Sequence, residues 1–332
     1  MANKKIDELI RMQEGTNEYK ENIRPQVFDK YIGQEKIKQI VKIYIEAAKK
    51  RNEPLEHMLF YGPPGLGKTT IACIIANEMN KKIHILTGPN IEKPKDIVSV
   101  LMNVEDGDIV FIDEIHRINR VVEEMLYPAM EDFIIDIKID ESNCNSEIIR
   151  LNLPRFTLIG ATTRVGMLSS PLRDRFGLIN RMEYYTNDEL SLIVKNSAKI
   201  LNISINKESC LEIAKRSRGT PRLANRLLKQ VRNFAEVKYN NKITKQVVYE
   251  VLDFVGIDNC GLDDNDIRYL TSIHTIGNGK PVGLTTLSSA ISEDIGTIED
   301  VYEPFLITEG FLNKTPRGRQ LTDKALKHLR LK

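Results

Sequence analysis

At 332 residues the chain exceeds one ordinary core and predicts two or three domains, and its 41% hydrophobic and 28% charged residues are those of a soluble globular protein. Lys and Arg (48) nearly cancel Asp and Glu (46), so the net charge of +2 says nothing about partners and the distribution of charge must. The cysteines Cys73, Cys144, Cys210 and Cys260 lie far apart with no CxxC pair and no neighbouring histidine, which argues against a zinc site or a disulfide framework; with no signal-peptide stretch and no run of about 18 apolar residues, a cytoplasmic protein without membrane contact is expected.

In chain order, residues 1–19 are polar and predict a loose arm. From Ile37 to Arg51 the residues Ile37, Ile40, Val41, Tyr44, Ile45 and Ala48 share one helical face. Four short apolar segments follow: HMLFYG (57–62), IHILTG (83–88), DIVFIDE (108–114) and RFTLIGATT (155–163). Each ends in glycine or polar residues, as strands buried on both faces of a parallel sheet do. Helical segments such as TTIACIIANEMN (69–80) and VVEEMLYPAMEDF (121–133) lie between most of them. This alternation predicts an open α/β sheet with ligands at the carboxyl ends of its strands. Residues 134–153 interrupt it: Ile135, Ile137 and Ile139, then Ile149, Leu151 and Leu153, alternate around a polar turn and predict an inserted β-hairpin. From about residue 186 helical patterns take over, predicting an all-helical unit over 186–256. A third unit, 257–332, opens at the turn GIDNCG.

GPPGLGKTT at 62–70 fits G-x-x-x-x-G-K-[ST], and it follows an apolar strand and opens a helix, as a phosphate-binding loop must. Glycines such as Gly65 and Gly67 let backbone N–H groups wrap around phosphate oxygens, and the helix N-terminus adds positive potential. Lys68 at that spacing reaches the β- and γ-phosphates while the Thr69 hydroxyl ligates Mg²⁺, so ATP and Mg²⁺ are expected. DIVFIDE then supplies two carboxylates at a strand tip. Asp113 suits the outer shell of the magnesium, and Glu114 suits polarising an attacking water. Thr162 and Thr163 end the fourth strand at the same edge, placed either to hydrogen-bond the γ-phosphate or water or to cap the next turn. His116 and Arg117 receive no role.

These residues resemble the AAA+ ATPases and, more narrowly, the RuvB family of motors that drive branch migration of Holliday junctions. The likeness is carried by IRPQVFDKYIGQE (23–35), GPPGLGKTT, FIDEIHR (111–117), VVEEMLYPAMEDF, LIGATTR (158–164), SPLRDRFG (170–177), RSRGTPRLANRLL (216–228) and TPRGR (315–319). It implies an AAA+ P-loop parallel-sheet domain over 20–185 carrying the hairpin, a small helical lid domain over 186–256 and a winged-helix domain over 257–332. The implied activity is ATP hydrolysis by a homo-hexameric ring on duplex DNA, in recombination, repair and the SOS response. A RuvA-type protein would dock on the hairpin at the four-way junction, and a junction resolvase would join the assembly. By position, Lys68, Thr69 and Thr70 would bind phosphates and magnesium, and Thr163 looks like the first sensor. Ile23, Arg24 and Tyr185 would line the adenine pocket, and Glu131, Asp132 and Phe133 would join the nucleotide site. Arg222 resembles the second sensor; at a helix start it opposes the macrodipole, which suits a functional charge.

SPLRDRFG follows the fourth strand by a few residues and is expected at the rim of the nucleotide-bearing edge. With Lys68 and Arg222 already provided, a further arginine needs another target. In a ring that target is the neighbour's γ-phosphate, which makes Arg175 the candidate finger, with Arg173 and Asp174 bracing it and Phe176 anchoring it in the core.

In the third unit, residues 263–276, 283–292 and 297–306 predict helices, and LITEGFLNKTPRGRQLT two short strands around a turn, together a winged helix. Residues 259–313 hold 2 Lys/Arg against 9 Asp/Glu, whereas 314–332 hold 7 against 1. Glu299, Asp300 and Glu303 on the presumed recognition helix would repel phosphates. The wing residues Lys314, Arg317 and Arg319 are therefore the expected DNA contact, gripping backbone without reading sequence. Two readings compete: another AAA+ DNA machine such as a clamp-loader subunit, which the hairpin and winged helix disfavour, and a winged-helix regulator using ATP only as a switch, which the Asp113–Glu114 pair disfavours.

Overall fold

A computed structural model describes residues 23–140 and 146–330, in two units that divide after Tyr185. The arm expected at 1–19 and the hairpin tip with Cys144 lie outside the described residues. In chain order the strands of the first unit are β1 (Met58–Tyr61), β2 (Ile83–Thr87), β3 (Ile109–Asp113), β4 (Ile134–Asp140), β5 (Ser146–Asn152), β6 (Thr157–Thr162) and β7 (Leu178–Arg181). Five of them form one sheet in the order β2-β3-β6-β1-β7, every pairing parallel. β6 is buried throughout and β3 nearly so, because helices cover both faces of the centre. The edge strand β2 leaves Ile85 53% exposed.

Sequence patterning missed β7. LINR is short and half polar, and it becomes a strand because β1 offers an open edge, pairing Met58 with Leu178 through Tyr61 with Arg181. The helix Glu35–Arg51 buries Ile37, Val41, Ile45 and Ala48 of its expected face. The helix Lys68–Met79 buries Ile71, Ile74 and Ile75 completely.

The insert is the expected antiparallel hairpin, with Ile134 opposite Asn152 and Asp140 opposite Ser146. Its base is fixed by chemistry. Ile135 and Leu153 enter the core, and Phe133, in left-handed backbone (φ 55°), stands edge-on to Phe156 at 5.9 Å.

In the second unit the lid helices are Asn187–Ile200, Lys207–Lys215, Pro221–Lys238 and Lys245–Phe254. The all-helical expectation needs one correction: β8 (Ser204–Ile205) and β9 (Lys242–Ile243) pair in parallel, two residues each, too short to leave a period in the sequence. The winged-helix region carries helices Asp264–Gly277 and Leu284–Ile291, then a helical run from Ile295 to Thr308. β10 (Leu312–Thr315), β11 (Gly318–Leu321) and the helix Asp323–His328 complete it. β10 and β11 are antiparallel, Lys314 opposite Arg319, and Tyr269, Leu306, Phe311 and Leu312 form the core beneath. Gly318 is required there: its φ is 135°, and a Cβ would lie 2.3 Å from the Val282 carbonyl oxygen. Among the described residues no helix is long and apolar enough to cross a membrane.

Candidate active site and nucleic-acid interface

The P-loop begins where β1 ends. The Gly62 N–H donates to the Thr162 carbonyl at 3.1 Å, which ties the loop to β6, and a Cβ on Gly62 would lie 2.6 Å from the Met182 carbonyl oxygen. Gly67, left-handed at φ 100°, delivers the chain into the helix Lys68–Met79. The first N–H groups of a helix have no intrahelical acceptor and make a positive, donor-lined site. Lys68 is buried inside this loop, its Nζ donating to the carbonyls of Gly62 (2.8 Å) and Pro63 (3.0 Å). Thr69 and Thr70 occupy the first turn. A buried ammonium, backbone donors and two hydroxyls suit a polyphosphate, and the Thr69 hydroxyl with the Asp113 carboxylate suits a hard divalent ion.

β3 carries the acids to the same edge. Asp113 Oδ1 accepts the Glu114 N–H at 3.0 Å. Glu114 itself is left-handed (φ 50°), a strained backbone of the kind that gathers at functional sites. Its Oε2 receives the Thr163 hydroxyl at 3.2 Å and the Thr163 N–H at 3.4 Å. Glu114 and Thr163, 49 residues apart, thus meet across β3 and β6. His116 joins them, its Nδ1 3.2 Å from the same oxygen and 2.9 Å from Thr162 Oγ1. Sequence reasoning gave this histidine no role, and the 3-10 turn Ile115–Arg117 that folds it back leaves no pattern to read.

The expected adenine side is partly assembled. Ile23 is half-buried and Arg24 exposed. They belong to a segment held to the P-loop helix by Asn77 Nδ2, which donates to the Gln26 carbonyl at 3.1 Å. The buried Tyr185 hydroxyl donates to the Leu66 carbonyl at 3.2 Å and stands 3.1 Å from the Tyr31 hydroxyl. Burial, with Tyr185 alongside, pushes the Tyr31 phenol well above its ordinary range.

SPLRDRFG is placed differently from the expectation. It forms a short helix, Ser170–Asp174, capped by Ser169, and the chain then returns to the start of β7. Because Leu178 pairs with Met58, Arg175 lies at the amino edge of the sheet, opposite the P-loop edge rather than at its rim. It borders a cleft of ≈ 320 Å³ shared with Leu55, His57 and Phe133, residues before β1 and β4. There Arg175 donates to Glu131 Oε2 at 3.1 Å and to the Pro171 carbonyl at 2.7 Å, with its guanidinium 4.4 Å over the Tyr127 ring. Phe176 is buried in the core as expected, whereas Arg173 and Asp174 approach only to 3.9 Å. Glu131, exposed Asp132 and Phe133 therefore gather near Arg175 and the hairpin base. Tyr127, which orients Arg175, was not read from sequence.

In the second unit Arg222 is exposed in the first turn of its lid helix. On the wing, Arg317 is exposed, and Lys314 is half-exposed with its Nζ 3.1 Å from Glu299. Arg319 corrects the expectation of a DNA contact. It is buried, donating from Nε to Glu303 Oε1 at 2.6 Å and from Nη2 to Glu303 Oε2 and Glu299 Oε1, both at 3.1 Å. Tyr269 donates to the same Glu303 at 2.8 Å. A guanidinium so paired holds the wing to the helical run instead of reaching for phosphate.

The chain matches three family models in succession: the Holliday junction DNA helicase RuvB P-loop domain at residues 23–182, the RuvB AAA lid domain at 185–258 and the RuvB C-terminal winged helix domain at 259–330. The chain belongs to the RuvB family. The solved Thermotoga maritima RuvB Holliday junction branch migration motor is 45% identical, with 93% of this chain and 99% of that chain covered and a TM-score of 0.85. A single-residue variant of that RuvB is 46% identical over the same shares, with a TM-score of 0.86. As a RuvB-family protein the chain is an ATP-driven Holliday junction helicase, and the sheet edge built from Gly62–Thr70, Asp113, Glu114 and Thr163 is its candidate centre for ATP hydrolysis.

Proposed function

We propose that this RuvB-family chain works in the cytoplasm as a homo-hexameric ring on duplex DNA, with each ATP hydrolysed between two neighbouring subunits. A RuvA-type protein docks on the hairpin at the four-way junction, and a junction resolvase joins the assembly during recombination and the SOS response. The observation that carries the reading is the split of charges across the sheet. Lys68, Asp113 and Glu114 stand at the carboxyl edge, while Arg175 stands at the amino edge, held by Glu131 and Tyr127. Four strand residues rise about 13 Å, so Arg175 is set to serve a second subunit's nucleotide rather than its own.

In this site the P-loop N–H groups and Lys68 grip the ATP phosphates, and Ile23, Arg24 and Tyr185 flank the adenine. Thr69 and Asp113 would hold Mg²⁺, which when bound neutralises charge on the phosphate oxygens. Glu114, its carboxylate held by Thr163, takes a proton from the attacking water as the water bonds to the γ-phosphorus and the bond to the β–γ bridging oxygen breaks, releasing ADP. Thr163 shares one Glu114 oxygen and senses that phosphate. Arg222 serves as the second sensor, and a neighbour's Arg175, with Glu131, Asp132 and Phe133 behind it, stabilises the charge that develops. Arg317 and Lys314 hold DNA backbone.

The test is ATP turnover and branch migration on a synthetic four-way junction, with and without the junction-binding partner. Lys68→Ala and Glu114→Gln each abolish turnover. Arg175→Ala binds ATP and loses roughly 10³-fold or more in turnover. Mixing Arg175→Ala with Lys68→Ala subunits restores part of the activity, since some interfaces then pair an intact P-loop with an intact finger. Mixed rings with no recovery would contradict catalysis in trans.

A further inference from the structure

Among the described residues, Asp258, Cys260 and His328 bring ligand atoms within 4.8 Å of one another. Sequence spacing argued against a zinc site, because no histidine neighbours a cysteine along the chain. Folding brings three candidate ligands together. The last helix, Asp323–His328, returns His328 to the loop that opens the winged-helix region, 68 residues from Cys260.

The three side chains are arranged in sequence, carboxylate to imidazole to thiol. Asp258 Oδ1 accepts the N–H groups of Cys260 (2.7 Å) and Leu262 (2.9 Å), which fixes the carboxylate on its own loop. Its Oδ2 stands 2.6 Å from His328 Nε2. A carboxylate there places the ring proton on Nε2 and leaves the Nδ1 lone pair directed toward Cys260 Sγ, 3.7 Å away. An ion bound tetrahedrally at about 2.3 Å from sulfur and about 2.0 Å from nitrogen holds two such atoms about 3.5 Å apart. The Phe311 ring, 5.4 Å from the imidazole and steeply tilted to it, limits its rotation. Side-chain exposures of 24% for His328 and 28% for Asp258 leave the group open to a hydrated ion.

We propose that Cys260 Sγ and His328 Nδ1 bind Zn²⁺, with Asp258 holding the imidazole through its Nε2–H and water filling the remaining positions. A carboxylate behind a ligating histidine fixes its tautomer and strengthens it as a donor. Binding exchanges the thiol proton of Cys260 for the metal: one S–H bond breaks, one S–Zn bond forms and one proton leaves to solvent. The bond would staple both ends of the winged-helix region. The stapled loop is also where the lid grips that region, through Arg216 to Asn259 Oδ1 (2.9 Å) and Arg218 to the Gly261 carbonyl (2.9 Å).

The experiment titrates the full chain with Co²⁺ and then displaces it with Zn²⁺. Wild-type protein develops a near-ultraviolet thiolate-to-cobalt band and the strong visible bands of a tetrahedral ion, and Zn²⁺ removes both. Cys260→Ser and His328→Asn lose these bands although Cys73, Cys144 and Cys210 remain. Asp258→Asn keeps them with affinity weakened by about 10- to 100-fold. A wild-type protein without the bands, or bands that survive in Cys260→Ser, would overturn the site. Unchanged affinity in Asp258→Asn would overturn the orienting role. If a variant does not fold, peptide mapping of iodoacetamide-treated wild type decides: Zn²⁺ protects Cys260 if the site exists, and equal labelling with and without Zn²⁺ rejects it.

Discussion

One oxygen of Glu114 receives the Thr163 hydroxyl and the Thr163 N–H, and the His116 Nδ1 stands 3.2 Å from it. Fixing one carboxylate oxygen fixes the plane of the group and so aims the other, which is what a water-polarising base requires. His116 acts here through Glu114 and Thr162. His116→Ala should therefore lower kcat by about 10- to 100-fold while leaving KM for ATP nearly unchanged. His116→Asn, which restores a donor at similar reach, should recover part of the loss in steady-state phosphate-release kinetics. A raised KM with kcat intact would assign His116 to binding instead. The carboxylate pair was legible in sequence because an apolar strand ending in Asp-Glu is a local pattern. The histidine was not, because its place depends on the left-handed turn at Glu114 and on Thr162 arriving from a strand 46 residues away.

At the scale of the element, the wing shows how one motif divides into two kinds of arginine. Counting charges along TPRGR gave both the same meaning, and strand geometry separates them: Arg317 stands in the exposed turn, while Arg319 lies on β11 facing the helical run. Glu299 and Glu303, expected only to repel phosphate, are the acids that receive Arg319 and Lys314. Hydrogen bonding to Glu303 raises the Arg319 guanidinium further, and Lys314 with Arg319 holds the Glu299 carboxyl below its usual range. Arg319→Ala leaves Glu303 buried beside Tyr269 with only Lys314, at 3.9 Å, as a cation and should destabilise the second unit by about 3 kcal/mol in urea unfolding. Arg317→Ala should change stability by less than about 0.5 kcal/mol. It should instead weaken duplex binding alike across sequences and lower the salt slope by about 1. If Arg319→Ala unfolds at the wild-type midpoint and only DNA binding falls, the structural role assigned to it is wrong.

Over the whole molecule, the sequence conveyed the domain order and four of the five strands of the sheet because their signals are local: buried apolar runs, a P-loop between strand and helix, helical periodicity after residue 186. It did not convey which edge SPLRDRFG occupies, since that depends on the chain running back to start β7 in register with β1. It also did not convey Glu212 and Arg216, two charged residues buried in the lid and joined at 2.7 Å. Nothing in KESCLEIAKRSR distinguishes that i,i+4 pair from a solvated one. Burial alone would raise the Glu212 carboxyl, but the Arg216 hydrogen bond, with Lys215 beside it, outweighs burial and holds it at about 2, against an ordinary value of 4.5. A carboxyl lowered in the folded state contributes stability that is complete above its unfolded pKa and lost as pH falls through the folded one. The lid should thus lose on the order of 3 kcal/mol between about pH 4.5 and pH 2 from this group. Glu212→Gln removes that contribution and leaves Arg216 buried without its anion, so the variant is much less stable than wild type at pH 7 and the gap narrows steadily in acid. Urea titration of the full chain, read by proteolysis across the lid helices at pH 7, 5 and 3, measures the gap directly. A gap that stays constant with pH would show that the pair is held by packing and not by charge.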